Sequence, residues 1–239
     1  MNTENSGKQK KKSRIFGNFC YDFIKITGAL PALLFVRPKI IYAQGKKPRL
    51  LGALLISSNH IGFLDPIIVH TAVLSRRLHS LATKDLYKNK LAEFFFDRVH
   101  CIKTDKDNFS LSAFHTIIDR LNNGCAVVVF PEGEINRAKD RGVLTFKAGI
   151  TLMAHKSGAP ILPMYIVKRE KWYHRQYVVI GQPIDIRSLL GEVPSMESIT
   201  NASETLRENE LSLYQYYETH IRKSHSKPTA ENYKEQADE

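Results

Sequence analysis

Little in this chain can act as a covalent or metal staple. Its 239 residues include only three cysteines, Cys20, Cys101 and Cys125. They are too few and too scattered for a disulfide framework or a four-ligand zinc site, and they fit a reducing compartment. His70, His79, His100, His115, His155 and His174 show no metal-ligand spacing, and His220 and His225 sit on a polar stretch. No metal is expected. A clean apolar run is also missing. A spanning helix needs about 20 residues with few or no charges. The nearest approach, Ile15–Val36, is interrupted by Asp22, Lys25, Gly28 and Pro31. A secretory signal would need a shorter, cleaner apolar core and a small-residue cleavage site. A polytopic membrane protein is therefore excluded. Wholesale disorder is excluded as well, since 43% of residues are hydrophobic and 25% charged, close to an ordinary globular protein. The chain shows no internal repeat and no interdomain linker.

Acidic residues are scarce at one end only. The formal net charge is +11, and residues 1–50 hold 11 Lys and Arg against two Asp and Glu. The other 189 residues are nearly balanced, with 24 basic and 22 acidic side chains. A basic arm suits a polyanion, either nucleic acid or an anionic membrane surface. Residues 1–14, with the run Lys10-Lys11-Lys12, are expected to be a flexible arm. In the segment 15–45, Phe16, Phe19, Tyr21, Phe23, Ile24 and Ile26 suggest an amphipathic, interfacial helix. With the arm before it and Arg37 and Lys39 after it, this segment is expected to lie on a membrane surface. The plainer alternative is a helix packed on the protein's own core.

From residue 50 the pattern becomes regular. Strands are expected at Leu54–Ser57, Leu78–Ala82, near Cys101–Ile102, and at Ala126–Phe130, Ile161–Val167 and Tyr177–Ile180. Helices are expected at Pro66–Leu74, Leu86–Phe96, around Leu111–Leu121, at Phe146–His155 and at Glu197–Arg222. Leu111, Phe114, Ile117, Ile118 and Leu121 recur at helical spacing and stop at Asn123-Gly124. The continuous run Ala126-Val127-Val128-Val129-Phe130 is that of a strand buried on both faces. Alternating strands and helices imply one α/β domain, residues 50–223, with a mostly parallel or mixed sheet covered by helices. Residues 224–239 read as a polar tail.

Two segments carry chemistry. In Asn59-His60-Ile61-Gly62-Phe63-Leu64-Asp65-Pro66, a strand runs into a His followed five residues later by Asp. The two can meet only if the chain turns between them, which Gly62 permits. Asp65-Pro66 has the signature of a helix start, with Asp as N-cap and Pro at the first helical position. A carboxylate on one ring nitrogen fixes the tautomer and leaves the other nitrogen as a base. The plain alternative makes Asp65 a cap and His60 a loop residue. The second segment, Phe130-Pro131-Glu132-Gly133-Glu134-Ile135-Asn136-Arg137, ends a buried strand in an exposed carboxylate and a flexible backbone. Arg137 could bind a phosphate through its forked donors, and Arg141 and Lys147 add positive charge.

Asn59-His60-x4-Asp65 followed by Phe130-Pro131-Glu132-Gly133 resembles the glycerolipid acyltransferase family, and within it the lysophosphatidic acid (1-acyl-sn-glycerol-3-phosphate) acyltransferases. The resemblance runs from about Ala53 to Ile184. It takes in Phe146-Lys147-x-Gly149 and Ala159-Pro160-Ile161-Leu162-Pro163-Met164-Tyr165, in the family's order. It implies that His60 is the general base and Asp65 its orienting partner, and that Glu132 and Gly133 shape the acceptor site. The hydroxyl would attack an acyl thioester directly, with no covalent acyl-enzyme, which fits the absence of a Gly-x-Ser-x-Gly elbow. Acyl-CoA or acyl-carrier protein would be the donor, a lysophospholipid the acceptor, and no cofactor would be needed. The place of action would be the cytoplasmic face of a membrane. The chain departs from the family in three places. Gly62 stands where Ser or Thr is common. Glu134-Ile135 replace a Thr-Arg pair, displacing the arginine to Arg137. No Arg ends the stretch around Lys103. Lys103, Lys106 and Arg137 are therefore the candidate phosphate ligands. Phe94-Phe95-Phe96, Leu152 and Met153 are candidates for an acyl groove or for plain core. Two other readings stand beside this one. One is the same chemistry on glycerol-3-phosphate or another lysolipid. The other is a non-catalytic lipid- or nucleic-acid-binding protein, though no nucleic-acid module is visible.

Overall fold

The computed structural model describes residues 2–105, 110–137, 142–191 and 193–223; of residues 2–16 and Ala29 only the backbone course is described. Lys106 and the expected tail 224–239 lie outside the described residues.

Strand-forming runs at regular intervals build one seven-stranded sheet. Its strands are β1 (Pro38–Tyr42), β2 (Leu54–Ser58), β3 (Leu78–Thr83), β4 (Ile102–Thr104), β5 (Ala126–Val129), β6 (Ile161–Ile166) and β7 (Gln176–Ile180). The spatial order is β1-β7-β6-β2-β5-β3-β4. Neighbours are parallel except β6 and β7, which are antiparallel. This is the mixed, largely parallel sheet that the alternation of elements predicts. β2 lies at its centre, between β5 and β6. All five residues of β2 and all four of β5 are buried, as strands covered on both faces must be.

The helices are α1 (Asn2–Val36), α2 (Asp65–Ala72), α3 (Lys90–Arg98), α4 (Leu111–Asn122), α5 (Gly149–Ser157), α6 (Arg187–Leu190) and α7 (Met196–Tyr217). Alternate strand residues sort into two cores. Leu55, Val127, Val129 and Ile161 pack with α4, α5 and α7. Leu54, Ile56, Val128 and Met164 pack with α2 and with Val36 at the end of α1. Local chemistry sets the helix limits. The side chains of Asn89, Ser110 and Ser195 accept from the amides of Ala92, Ala113 and Ser198, satisfying amides that the first turn leaves without helical partners. The Asn89 cap starts α3 later than the expected Leu86.

Two expectations need correction at the N-terminal end. The segment 15–45 is not one helical unit: α1 ends at Val36, and Pro38–Tyr42 is an edge strand paired with β7. The segment expected as a flexible arm is placed as the opening turns of α1, from Asn2. Among the described residues no single helix is long and apolar enough to cross a membrane. Gly17–Gly28 and Leu30–Val36 reach that length only together, with a 41° bend between them. Pro31 lies inside the helix, and proline both removes a helical amide and crowds the preceding turn.

Polar side chains pin α1 to the body. The Leu78 amide donates to the Tyr21 hydroxyl at 2.9 Å, and that hydroxyl lies 3.3 Å from His70 Nδ1. Tyr21 stacks on His100, which stacks on His79. Arg77 holds Asp22 through two bonds. Lys25 donates to the carbonyls of Leu74 and Arg76. Burial pushes His70 and His100 down to about 4 and His79 down to about 3, so all three are neutral at pH 7.

Candidate active site

β2 and β5 are parallel neighbours, with Ser57 opposite Val129. Their carboxyl ends therefore deliver His60 and Glu132 to the same edge of the sheet. Ligands of open α/β sheets settle in the crevice outside such strand ends.

The turn after β2 brings His60 and Asp65 together. His60 Nδ1 lies 2.7 Å from Asp65 Oδ2. The same oxygen accepts from the amides of Ile61 at 2.6 Å and Gly62 at 2.8 Å. Three donors on one carboxylate oxygen fix its position. Asp65 is 1% exposed. An ionised acceptor makes each of these bonds stronger than a neutral one. The Nδ1 hydrogen bond leaves Nε2 as the ring's basic atom. The ring stacks on Phe130, with centroids 4.3 Å apart, which limits its rotation.

The expected cap role of Asp65 is corrected by this geometry. The N-cap of α2 is Leu64, and Asp65 is the first helical residue. Its carboxylate turns back to the loop rather than onto its own helix. Gly62 also differs from expectation. It is not among the residues with positive φ, so the turn does not require glycine there. A Cβ at Gly62 would stand 3.9 Å from Asp65 Oδ1, leaving room beside that carboxylate.

Glu132 fastens the second loop to the first. Its Oε1 accepts from the His60 amide at 2.8 Å, and its Oε2 accepts from the Leu144 amide at 2.9 Å. The Asn136 amide in turn donates to the His60 carbonyl at 2.7 Å. Thus both backbone groups of His60 are held by the Pro131–Asn136 loop. Glu132 is buried, and that burial raises its pKa above the usual carboxylate range, against the two amide bonds that lower it. Gly133 has φ +74°, a left-handed conformation that favours glycine. A Cβ there would fall 2.6 Å from Cε and Nζ of Lys147, so the Lys147 side chain lies directly across the turn.

Four of the expected site residues, His60, Asp65, Glu132 and Gly133, thus form one cluster. Arg137 follows Asn136 and is exposed. Lys103 sits on β4, beyond β5 and β3, where its ammonium meets Glu93 at 3.2 Å and the face of Tyr87. Met153 is core, Leu152 packs against that core, and Phe94 and Phe95 are exposed on α3.

The structure adds three residues. Asn59, fully buried, bridges to β6 by accepting from the Ile166 amide at 2.7 Å and donating to the Ile166 carbonyl at 3.0 Å. Ser57 donates to Glu210 of α7. Glu210 is 0% exposed, and its Oε2 has no hydrogen-bond partner among the described residues. Burial raises its pKa well above the ordinary value, and the charge of Glu132 raises it further. Asn59 stands in the motif beside His60, but its bonds to Ile166 were not legible there. Glu210 lies in a polar helical stretch, and nothing in its sequence context marks it as buried.

The family model described as "Acyltransferase" matches residues 40–167, which includes the whole cluster from Asn59 to Lys147. The 1-acyl-sn-glycerol-3-phosphate acyltransferase of Bacillus subtilis (strain 168) is 26% identical over 190 residues, 75% of this chain and 90% of that protein. The crystal structure of the 1-acyl-sn-glycerophosphate (LPA) acyltransferase PlsC from Thermotoga maritima has the same fold. It superposes with a TM-score of 0.53 at 18% identity, covering 85% of this chain and 97% of that one. With more than half of its length matched in order, the chain belongs to the acyltransferase family.

Proposed function

We propose that the protein acylates the free hydroxyl of lysophosphatidic acid, giving phosphatidic acid in phospholipid synthesis, with an acyl thioester as donor. One observation carries the chemistry: a His60 ring held at Nδ1 by a buried Asp65, with its backbone clamped by Glu132. Nε2 of His60 takes the hydroxyl proton as the oxygen attacks the thioester carbonyl. The C–O bond forms, the C–S bond breaks, and the departing thiolate recovers the proton from the imidazolium. Asp65 favours that imidazolium by its charge. No acyl-enzyme forms, and no metal or cofactor has a part in these steps. Both named relatives act on the same class of acceptor.

The acceptor phosphate is assigned to Arg137, Lys103 and Lys106, joined by Lys147, whose chain crosses the Gly133 turn. A specific observation favours a wider acceptor range. Lys103 is already tied to Glu93, which weakens its claim on phosphate and keeps a lysolipid with another head group in view. The protein acts at an anionic membrane surface, on its cytoplasmic face. α1 supports that placement, because Phe19, Phe23, Ile26, Leu30 and Leu34 recur at helical spacing and all are exposed.

The test is acyl transfer by detergent-solubilised protein, with labelled lysophosphatidic acid and either acyl-CoA or acyl-carrier protein. Wild type forms phosphatidic acid, and His60→Ala loses roughly a hundredfold or more of the rate. Equal rates in the two proteins would remove His60 from the mechanism. Product from another lysolipid alone would reassign the acceptor.

A further inference from the structure

We infer that the loop between β6 and β7, residues 167–175, is a second membrane contact that docks the catalytic edge onto an anionic lipid bilayer, independently of the basic arm. The inference rests on the membrane placement above but uses other residues.

Three observations point to this loop. The first is its composition. Residues 168–175, Lys-Arg-Glu-Lys-Trp-Tyr-His-Arg, carry four Lys and Arg against one Glu. Glu170 meets Arg222 at 3.3 Å, so the loop's one acid already has a cationic partner. The second is exposure. Trp172 is 81% exposed and Tyr173 is 50% exposed. Their rings meet edge to face at the loop tip, and neither belongs to a core. A groove of about 450 Å³, lined by Val167, Arg169, Tyr217 and Arg222 among others, separates the loop from the end of α7. A projecting aromatic pair ringed by cations suits the headgroup region, where amphipathic rings concentrate and basic residues meet anionic lipid.

The third observation is position. Arg169 Nη1 donates to the carbonyls of Trp172, His174 and Phe35. It therefore shapes the loop and ties it to the last turn of α1, where Leu34 and Phe35 are 68% and 77% exposed. On the other side, β6 ends at Ile166, which Asn59 grips from the residue beside His60. The turn between His60 and Asp65 adds Phe63, 72% exposed. Exposed apolar side chains from three separate segments thus leave the same edge of the sheet as His60. A bilayer meeting all three would present a lysolipid headgroup to the base without extracting the lipid into water. Charge complementarity selects the lipid, because four Lys and Arg against one Glu leave residues 168–175 net positive, and a net positive loop is drawn to an anionic surface.

Trp172 is the chain's one tryptophan, so its fluorescence reports on this loop directly. The experiment uses the full chain with vesicles of phosphatidylcholine alone or mixed with phosphatidylglycerol, and measures sedimentation and emission on the same samples. With anionic vesicles the emission moves to shorter wavelength and is quenched by brominated acyl chains. Lys171→Gln and Arg175→Gln each weaken the emission response about fivefold, as expected of one basic residue near such a surface. Replacing Lys10, Lys11 and Lys12 by Gln leaves the emission change at saturating lipid intact. Protein that sediments with vesicles while Trp172 emission stays unchanged would overturn the loop contact and leave the membrane placement standing. Absence of both signals would overturn the two together. A response to duplex DNA but not to vesicles would transfer the loop to nucleic acid and refute the inference.

Discussion

The two faces of the sheet are covered in different ways. On one face α7 buries Ile199, Ala202, Ser203, Leu206, Glu210, Leu213 and Tyr217, so most of its apolar side chains are consumed by the core. On the other face α3 buries no residue at all, although it contains Leu91, Phe94 and Phe95, all exposed. α1 repeats the pattern with an outward apolar stripe, while polar bonds through Tyr21, Asp22 and Lys25 hold it to the body. One face is finished by the chain itself. On the other, α1 and α3 turn apolar side chains outward beside the core that α2 closes, and grouped exposed apolar surface is the usual mark of an interaction site.

Acid should break this contrast most severely, and on the pinned side. His70, His79 and His100 have pKa values lowered from 6.5 to about 4, 3 and 4. Groups with depressed folded values contribute stability that is complete above the unfolded pKa and lost as pH falls through the folded ones. The window is thus about pH 6.5 down to about 3. Three imidazoles take up protons across it, so several contributions are lost together where a substitution removes one. Thermal melts at successive pH values should show Tm falling across that window. A flat Tm would mean that the cluster does not hold α1 as described.

Leu206→Ala tests the sealed face. Leu206 is 1% exposed, and deleting such a side chain costs about 2–5 kcal/mol. Urea unfolding should show the loss, whereas vesicle sedimentation of the folded variant should be unchanged. The open face should behave in the reverse sense. Phe23→Ser combined with Phe94→Ser should change stability by no more than about 0.5 kcal/mol per site, as surface substitutions do, and should weaken vesicle binding about tenfold or more, since a buried Phe is worth about 1.5–3 kcal/mol. If binding stayed intact, the apolar surface of α1 and α3 would need another partner.

Much of the sheet was legible in the sequence because its central strands are covered on both faces. Ala126–Phe130 and Ile161–Val167 read as strands from the sequence, each one residue longer than the strand observed. β1 was not legible, because Pro38-Lys39-Ile40-Ile41-Tyr42 is short, lies at the sheet edge and follows a helix with no spacer beyond Arg37. His60 and Asp65 were legible as a pair through their spacing, but the direction of the carboxylate was not. A helix cap and a partner for the His60 ring share one sequence signature, and only the three-dimensional turn separates them. The hold of Glu132 on the His60 amide could not be read either. It depends on β2 and β5 being neighbours, and β3 and β4 intervene between them in sequence. Glu210 was invisible for the opposite reason: a helical face rich in Glu and Asn conceals the one acid that points inward.

The turn after β2 also bears on how the site assembles during folding. His60 and Asp65 are five residues apart, whereas the Glu132 bond to His60 closes a span of 72. Loop-closure entropy grows as the logarithm of span, so the longer closure costs about 2 kcal/mol more. The imidazole and its carboxylate can meet as soon as one local turn forms, but the clamp must wait for β5 to dock beside β2. A partly folded chain can therefore carry the dyad without its clamp. Activity should return with the slowest sheet pairing rather than with the first helices, which makes the enzyme its own reporter of completed sheet assembly.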